Sequence, residues 1–123
     1  ANLKWTLEEF CRAFASNLRA NVHVELLYGR DGHHIAEAIL HALAPLENAK
    51  RSPEARFRQV HNVLKESHKA GNSHVLLIEE AHSLPIPTLK HLKRFFELED
   101  GYDKLLGIIL IGQKSVLTNF YLH

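Results

Sequence analysis

The sequence lacks several features that would place it in an extracellular or membrane class. One cysteine, Cys11, stands among its 123 residues, so no internal disulfide can form, and a reducing compartment suits this composition. No apolar run approaches the length that spans a bilayer, and charges interrupt the N-terminal segment, which argues against a signal peptide. A hydrophobic content of 46% is enough for the core of one domain. We therefore expect a soluble, cytoplasmic protein.

The chain also lacks a strong charge of either sign. Its formal net charge is +1 with neutral histidines, so any nucleic-acid-binding surface has to be local. Ten histidines are many for this length, and the nearest approach to metal spacing is His33, Glu37 and His41. On a helix the outer two would lie roughly 12 Å apart, too far to share one ion well. We therefore favour surface helix residues over a metal site.

The apolar pattern predicts alternating helices and strands. Helical spacing is present at 7–18, 35–43, 56–69 and 88–98, and strands are predicted at 22–28, 75–78 and 105–111. The last two strands are near-continuous apolar runs, which is typical of strands that are buried on both faces. The element order predicts an α/β fold, a three-layer α-β-α core with a mainly parallel sheet.

Two adjacent carboxylates, Glu79 and Glu80, directly follow the strand predicted at 75–78. Ionised carboxylates at the end of a buried strand are costly unless a cation or hydrogen bonds receive them. This edge of an open α/β sheet is also where ligands bind, and Mg²⁺ prefers oxygen ligands. The alternative is a surface turn with two solvated glutamates, which the preceding Val-Leu-Leu-Ile disfavours.

Residues 74–82, His-Val-Leu-Leu-Ile-Glu-Glu-Ala-His, resemble the Walker B segment of ATP-hydrolysing P-loop proteins. The resemblance implies that Glu79 binds magnesium through water and that Glu80 activates the water that attacks the γ-phosphate. The usual first residue of the motif is aspartate, so Glu79 departs from the pattern. Gln113, just past the next buried strand, resembles the sensor-1 residue of AAA+ ATPases, and an ordinary turn glutamine is the alternative.

A phosphate-binding loop does not accompany these residues in the chain. The P-loop motif places lysine directly after its second glycine, whereas in residues 107–115 a buried strand fills the middle and Gln113 displaces the lysine. In AAA+ domains the P-loop and its helix precede the Walker B strand. The resemblance therefore implies that residues 1–123 form a partial AAA+ core, from the post-P-loop helix through the sensor-1 strand. We expect such a core, truncated at both ends, to be inactive alone.

A narrower resemblance covers residues 74–113, with Leu-Leu-Ile-Glu-Glu-Ala-His-Ser-Leu-Pro at its start and Leu-Leu-Gly-Ile-Ile-Leu-Ile-Gly-Gln at its end. These segments look like the ExeA-like and MuB-like AAA+ group, closest to the phage DNA transposition B proteins. The resemblance implies ATP and magnesium as cofactors, non-specific DNA and a transposase as partners, and a homo-oligomer or filament. An ExeA-like secretion ATPase and a non-catalytic partner-binding module are the alternatives.

Three basic residues, Lys90, Lys93 and Arg94, share one face of the helix predicted at 88–98. The resemblance to DNA-binding proteins makes them candidates for phosphate contacts. The sequence by itself favours a solvated helix face opposite Leu89, Leu92 and Phe96.

Overall fold

The computed structural model describes residues 22–26, 32–78, 84–111 and 117–119. The helix predicted at 7–18 lies outside these residues. The elements in chain order are β1 (Val22–Leu26), α1 (Gly32–Leu43), α2 (Pro53–Lys69), β2 (His74–Ile78), α3 (Ile86–Phe96), β3 (Glu99–Asp100), β4 (Asp103–Lys104), β5 (Leu106–Ile111) and β6 (Leu117–Asn119).

The main sheet has four strands in the order β1-β2-β5-β6. Strand β2 pairs in parallel with β1 on one side and with β5 on the other, so that Ile78 lies between Leu26 and Leu110. Strand β6 pairs with β5 in the antiparallel direction. Helices α1 and α2 connect β1 to β2, and a parallel pair needs such a crossover. This architecture confirms the predicted α/β class with a mainly parallel sheet.

The core lies between the sheet and the three described helices. Alternate strand residues, such as Leu76 on β2 and Ile108 on β5, join Ile39 of α1, Leu64 of α2 and Leu92 of α3 in one apolar cluster. On the opposite face of the sheet, Val75, Leu77 and Ile109 are also at most 2% exposed. Burial on both faces explains why these strands are near-continuous apolar runs in the sequence.

The bounds of α2 follow from capping. The hydroxyl of Ser52 accepts a hydrogen bond from the amide of Ala55 at 3.2 Å, and Pro53 occupies the first helical position, where its missing N–H costs nothing. The helix stops before Gly71, whose φ of +96° suits glycine. The predicted stop at Gly71 is confirmed, and the helix begins three residues before the predicted start at 56.

The region after α3 differs from the prediction. The sequence pattern extended this helix to residue 98 with Gly101 as its stop, but the helix ends at Phe96. Gly101, with a φ of +65°, lies instead in the turn of a short hairpin formed by β3 and β4. An ion pair of 3.3 Å between Lys104 Nζ and Glu99 Oε2 spans this hairpin, which the sequence analysis did not predict.

No helix within the part of the chain that the structure describes is long and apolar enough to cross a membrane.

Candidate functional site

The central strand β2 ends at the sheet edge where the candidate nucleotide site was predicted. All five of its residues are buried, and Ile78 is fully buried between its partners on β1 and β5. Glu79 follows Ile78 directly in the chain, and Gln113 follows the end of β5 at Ile111 by two residues. Because β2 and β5 are parallel neighbours, both segments leave the sheet at the same edge. Glu79, Glu80 and Gln113 themselves lie outside the described residues.

The chemistry of this edge fits a magnesium ion but supplies only part of a nucleotide site. Glu79 and Glu80 offer the oxygen ligands that Mg²⁺ prefers, and a bound ion would offset the cost of carboxylates beside a buried strand. Glu79 would hold the ion and Glu80 would hold a water in reach of the phosphate. The phosphate cradle has no counterpart in the sequence, because a Gly-Lys-Ser/Thr motif is missing.

The structure separates the three predicted basic residues into two groups. Lys90 and Lys93 are exposed on α3 and form no ion pair with the residues that the structure describes. The guanidinium of Arg94 lies 4.1 Å from the centroid of the Phe57 ring, and its Nη1 is 3.4 Å from Glu54 Oε1. Arg94 therefore links α3 to α2, while the two lysines present their charges to solvent.

The buried side of α3 also differs from the prediction. Leu92 and Phe95 are buried as expected, but Leu89 is 40% exposed and Thr88 is buried in its place. Phe95 packs against Phe57 of α2 with ring centroids 5.4 Å apart. The exposed face of α3 is therefore less polar than the sequence suggested.

A buried histidine, His74 at the start of β2, is a polar site that the sequence analysis left without a role. Its Nδ1–H donates to the carbonyl of Leu105 at 3.0 Å, and its Nε2 lies 2.7 Å from the Ser67 hydroxyl. Because Asn72 Nδ2 donates to the same hydroxyl at 3.1 Å, Ser67 is set to donate its own proton to the ring. This arrangement needs a neutral imidazole.

Burial is the largest cause that lowers the pKa of His74 below its ordinary value of 6.5, and the charge of nearby His68 acts in the same direction. The hydrogen bond to Leu105 opposes this shift but does not reverse it. Two other histidines of α2 contact the hairpin, since His61 Nε2 donates to the carbonyl of Glu99 at 2.9 Å and His68 Nε2 lies 3.2 Å from Asp103 Oδ2. The histidines therefore connect α2 and β2 to the segment 99–105.

The connection between α1 and α2 is fixed by two buried polar side chains. Arg56 donates to the carbonyls of Lys50 and Arg51, and Gln59 accepts from the amide of Lys50 at 2.9 Å and donates to the carbonyl of Asn48. A polar groove of about 430 Å³ lies beside this connection. Its charged rim combines Glu47 and Glu66 with Lys50 and Arg58, so the groove favours neither anionic nor cationic ligands.

The structure describes two of the three side chains with metal-like spacing. Glu37 and His41 are exposed on α1, and the side chain of His33 is outside the description. Among the described residues, no group of three or more His, Cys, Asp or Glu side chains is placed to hold a metal ion.

Comparison with known proteins places the chain in a family. The family model for an AAA domain matches residues 3–120, which is nearly the whole chain. The chain therefore belongs to the AAA domain family, a class of P-loop ATPases that in general bind a nucleotide and magnesium. Together with the parallel sheet, this match confirms the broad resemblance to AAA ATPases, and it does not distinguish the MuB-like group within them.

A second similarity covers only a short segment of the chain, but the sequence identity within that segment is high. Imidazoleglycerol-phosphate dehydratase of Akkermansia muciniphila is 70% identical over 37 residues, or 30% of this chain and 19% of that protein. The dehydratase of Thermoanaerobacter pseudethanolicus is 51% identical over 49 residues, or 39% of this chain and 25% of that protein. The chain thus spans about a fifth to a quarter of the length of these relatives. No solved structure gave a significant match.

The two similarities overlap within the chain. The AAA match covers 118 of 123 residues, from 3 to 120, and so leaves only 123 − 118 = 5 residues outside it. A dehydratase-like segment of 37 residues cannot fit into those five. Part of this AAA family chain is therefore also similar to a dehydratase segment.

Proposed function

We propose that the chain is part of an ATP-dependent DNA-binding protein of DNA transposition, which captures target DNA and stimulates a transposase. The observation that carries the ATPase part is the pair of carboxylates that directly follows the buried central strand of an AAA family chain. The DNA-binding part rests on the exposed lysines of α3. The transposition role itself rests on the resemblance of residues 74–113 to the phage B proteins.

Each residue at the sheet edge has a distinct role in this proposal. Glu79 binds Mg²⁺ through water, and the ion neutralises phosphate charge. Glu80 orients the attacking water and accepts its proton, and Gln113 hydrogen-bonds the same water. Strands β2 and β5 are parallel neighbours, so the residues that follow them in the chain emerge at one edge of the sheet, which is what a positioning mechanism requires.

The test of the nucleotide site is Glu80→Gln in the intact protein. Glutamine keeps the size and the hydrogen-bonding reach of glutamate but cannot accept the proton, so we expect ATP binding to persist while hydrolysis falls by about 100-fold or more. Binding is measured with a fluorescent ATP analogue and turnover by phosphate release. Glu66→Gln, an exposed glutamate on α2, serves as the matched control. Unchanged turnover in Glu80→Gln would refute the assignment.

The test of DNA binding is the salt dependence of affinity. Each lysine that contacts a phosphate contributes about 0.9 to the slope of log K against log salt. Substitution of Lys90 and Lys93 by alanine should therefore reduce the slope by about 2 and weaken binding equally for all sequences. Lys69→Ala, at the exposed C-terminal end of α2, is the control that should leave the slope unchanged. An unaltered slope in the double variant would exclude this face as the phosphate-binding surface.

The alternatives of a secretion ATPase and a non-catalytic partner-binding module predict different results. A secretion ATPase of the ExeA type would hydrolyse ATP without a salt-dependent affinity for DNA. A partner-binding module would neither hydrolyse ATP nor respond to Glu80→Gln. The same two assays therefore separate all three functions.

The dehydratase similarity raises dehydration of imidazoleglycerol phosphate as a second candidate function, which its short coverage disfavours. An identity of 70% over 37 residues indicates a shared local structure, but four-fifths of the dehydratase has no counterpart in this alignment. We therefore expect the chain alone to show no dehydration of imidazoleglycerol phosphate. Measurable turnover of that compound would favour the dehydratase over the ATPase proposal.

A further inference from the structure

The solvent-facing side of α3 carries apolar and basic side chains in a fixed order. We name this set the α3 stripe, and its members are Ile86, Leu89, Lys90 and Lys93. Their i, i+3, i+4 and i+7 spacing places them on one side of the helix. The buried residues of the helix, which are Thr88, Leu92 and Phe95, lie on the opposite side. All four members are exposed, so the α3 stripe is open to solvent.

The first half of the α3 stripe is apolar. Ile86 is 69% exposed and Leu89 is 40% exposed, and Pro85 and Pro87 on either side of Ile86 are exposed as well. Single exposed apolar residues are ordinary on a protein surface, but these neighbours form a patch. Both prolines fix their backbone φ, so Ile86 is held in place and loses little backbone freedom on binding.

The second half of the α3 stripe is basic. Lys90 and Lys93 are exposed and form no ion pair with another residue of the described segments. Glu97, which is exposed directly after the helix and one turn beyond Lys93, carries the opposite charge. A polyanion at the two lysines is therefore repelled on the side of Glu97 and extends over the apolar half of the stripe.

The two halves of the α3 stripe are too close together to bind separate ligands. One helical turn separates Ile86 from Lys90, which is a rise of about 6 Å along the axis. DNA whose phosphates contact the lysines therefore also meets Ile86 and Leu89. Aliphatic groups gain little against ionised phosphates, so they need the less polar sugars and base edges within a groove.

The residue types and the spacing favour the minor groove of duplex DNA. Isoleucine, leucine and proline are among the side chains that proteins place in this groove. The groove is about 6 Å wide, similar to the separation of Ile86 and Lys90 along the helix, so an aliphatic side chain can enter it while a lysine reaches the phosphates at its rim. The stripe has no aromatic ring on which single-stranded bases could stack.

We propose that the α3 stripe binds duplex DNA across the minor groove, with Lys90 and Lys93 on the phosphates and with Ile86 and Leu89 against the sugars and base edges. This binding mode rests on the DNA binding proposed above and adds a contact that does not depend on charge. Because A·T and T·A pairs present the same acceptors in this groove, the contact is compatible with non-specific binding.

The salt dependence of DNA affinity separates the two kinds of contact. Phosphate contacts determine the slope of log K against log salt, whereas apolar contacts change log K by a similar amount at every salt concentration. Ile86→Ser with Leu89→Ser in the intact protein should therefore leave the slope unchanged and weaken the binding of a duplex of mixed sequence by roughly tenfold or more throughout. Leu46→Ser, which replaces a leucine that is 99% exposed on the α1–α2 connection, is the matched control and should change neither quantity.

The outcomes separate this contact from DNA binding itself. A wild-type protein with no salt-dependent affinity for DNA overturns both proposals. If the wild type binds with a salt slope and Ile86→Ser with Leu89→Ser binds equally well, the minor-groove contact alone is overturned, and a protein partner is left as the ligand of the apolar half. Both positions are exposed, so the far-ultraviolet circular dichroism of the variant should match that of the wild type.

Two altered duplexes identify the groove. Replacement of thymine by uracil removes only a methyl group in the major groove, so we expect the affinity of the wild type to stay the same. Netropsin, which occupies the minor groove of an A·T-rich duplex, should weaken the binding of the wild type at least several-fold more than that of Ile86→Ser with Leu89→Ser. A loss of affinity with uracil, or an equal effect of netropsin on both proteins, overturns the assignment to the minor groove.

Discussion

Replacement of His74 by leucine should destabilise the fold and also change its pH dependence. The imidazole donates to the carbonyl of Leu105 at 3.0 Å and accepts from the Ser67 hydroxyl at 2.7 Å, and the residue is 3% exposed. Leucine fills a similar volume but makes neither bond. The buried carbonyl of Leu105 then loses a partner, and such a loss costs about 1–3 kcal/mol. Ser67 is half-buried and recovers part of its loss from water, so we expect a total of about 2 kcal/mol near neutral pH.

The pH dependence follows from the direction of the pKa shift. Burial lowers the pKa of His74 in the folded protein, so the unfolded chain, with a pKa of 6.5, binds the proton first as the pH falls. His74 therefore lowers the free energy of unfolding as the pH drops below about 6.5. His74→Leu removes this contribution. The free energy of unfolding of His74→Leu should be lower than that of the wild type by about 2 kcal/mol at about pH 7.5, and this difference should shrink markedly at about pH 5.5.

Urea unfolding followed by circular dichroism measures both effects. The pair of His68 and Asp103 is retained in both proteins. His41→Gln, an exposed histidine of α1, is the control and should change the free energy of unfolding by less than about 0.5 kcal/mol at either pH. If the difference in free energy of unfolding between the wild type and His74→Leu is the same at both pH values, the conclusion that the buried imidazole of His74 is neutral is refuted.

Three further substitutions test the fold by the same unfolding measurement. Ile108→Ala, at a fully buried position of β5, should cost about 3–4 kcal/mol through lost burial and a cavity, whereas a cost below about 1 kcal/mol would contradict the core described above. Gly71→Ala should cost about 1 kcal/mol through backbone strain alone, because a Cβ there meets no atom within 4 Å, and Gly71→Asn should cost less. Ser52→Ala should cost about 1 kcal/mol through loss of the N-cap, and an unchanged midpoint would show that the cap contributes nothing.

The sequence was sufficient to predict those helices and strands that are marked by a regular pattern of apolar residues. Strands β2 and β5 are uninterrupted apolar runs because both of their faces are buried, and α2 has its apolar residues at helical spacing with a capping serine before it. The parallel order followed from the crossover connections. The location of Glu79 directly after β2 followed from the same run.

The hairpin and the rotation of α3 could not be predicted, because neither depends on a periodic pattern. Strands β3 and β4 have two residues each, and the polar pair of Glu99 and Lys104 that spans them resembles any loop in the sequence. Leu89 has the spacing of a core residue, but α3 packs through Phe95 against Phe57 of α2, and in this orientation Thr88 is buried while Leu89 is exposed. The role of His74 was hidden for a similar reason, since Ser67 and Leu105 lie in other elements.

Arg94 contacts α2, whereas Lys90 and Lys93 face solvent, and this difference limits the DNA binding that we propose. Lys90, Lys93 and Arg94 are equivalent in the sequence, yet the ring of Phe57 and the carboxylate of Glu54 hold Arg94 against α2. In the proposed DNA binding, this face would provide at most two phosphate contacts per chain, so we expect a salt slope of only about 2. Two phosphate contacts supply only a small electrostatic contribution to affinity, so we expect tight binding only when several copies act on one DNA segment.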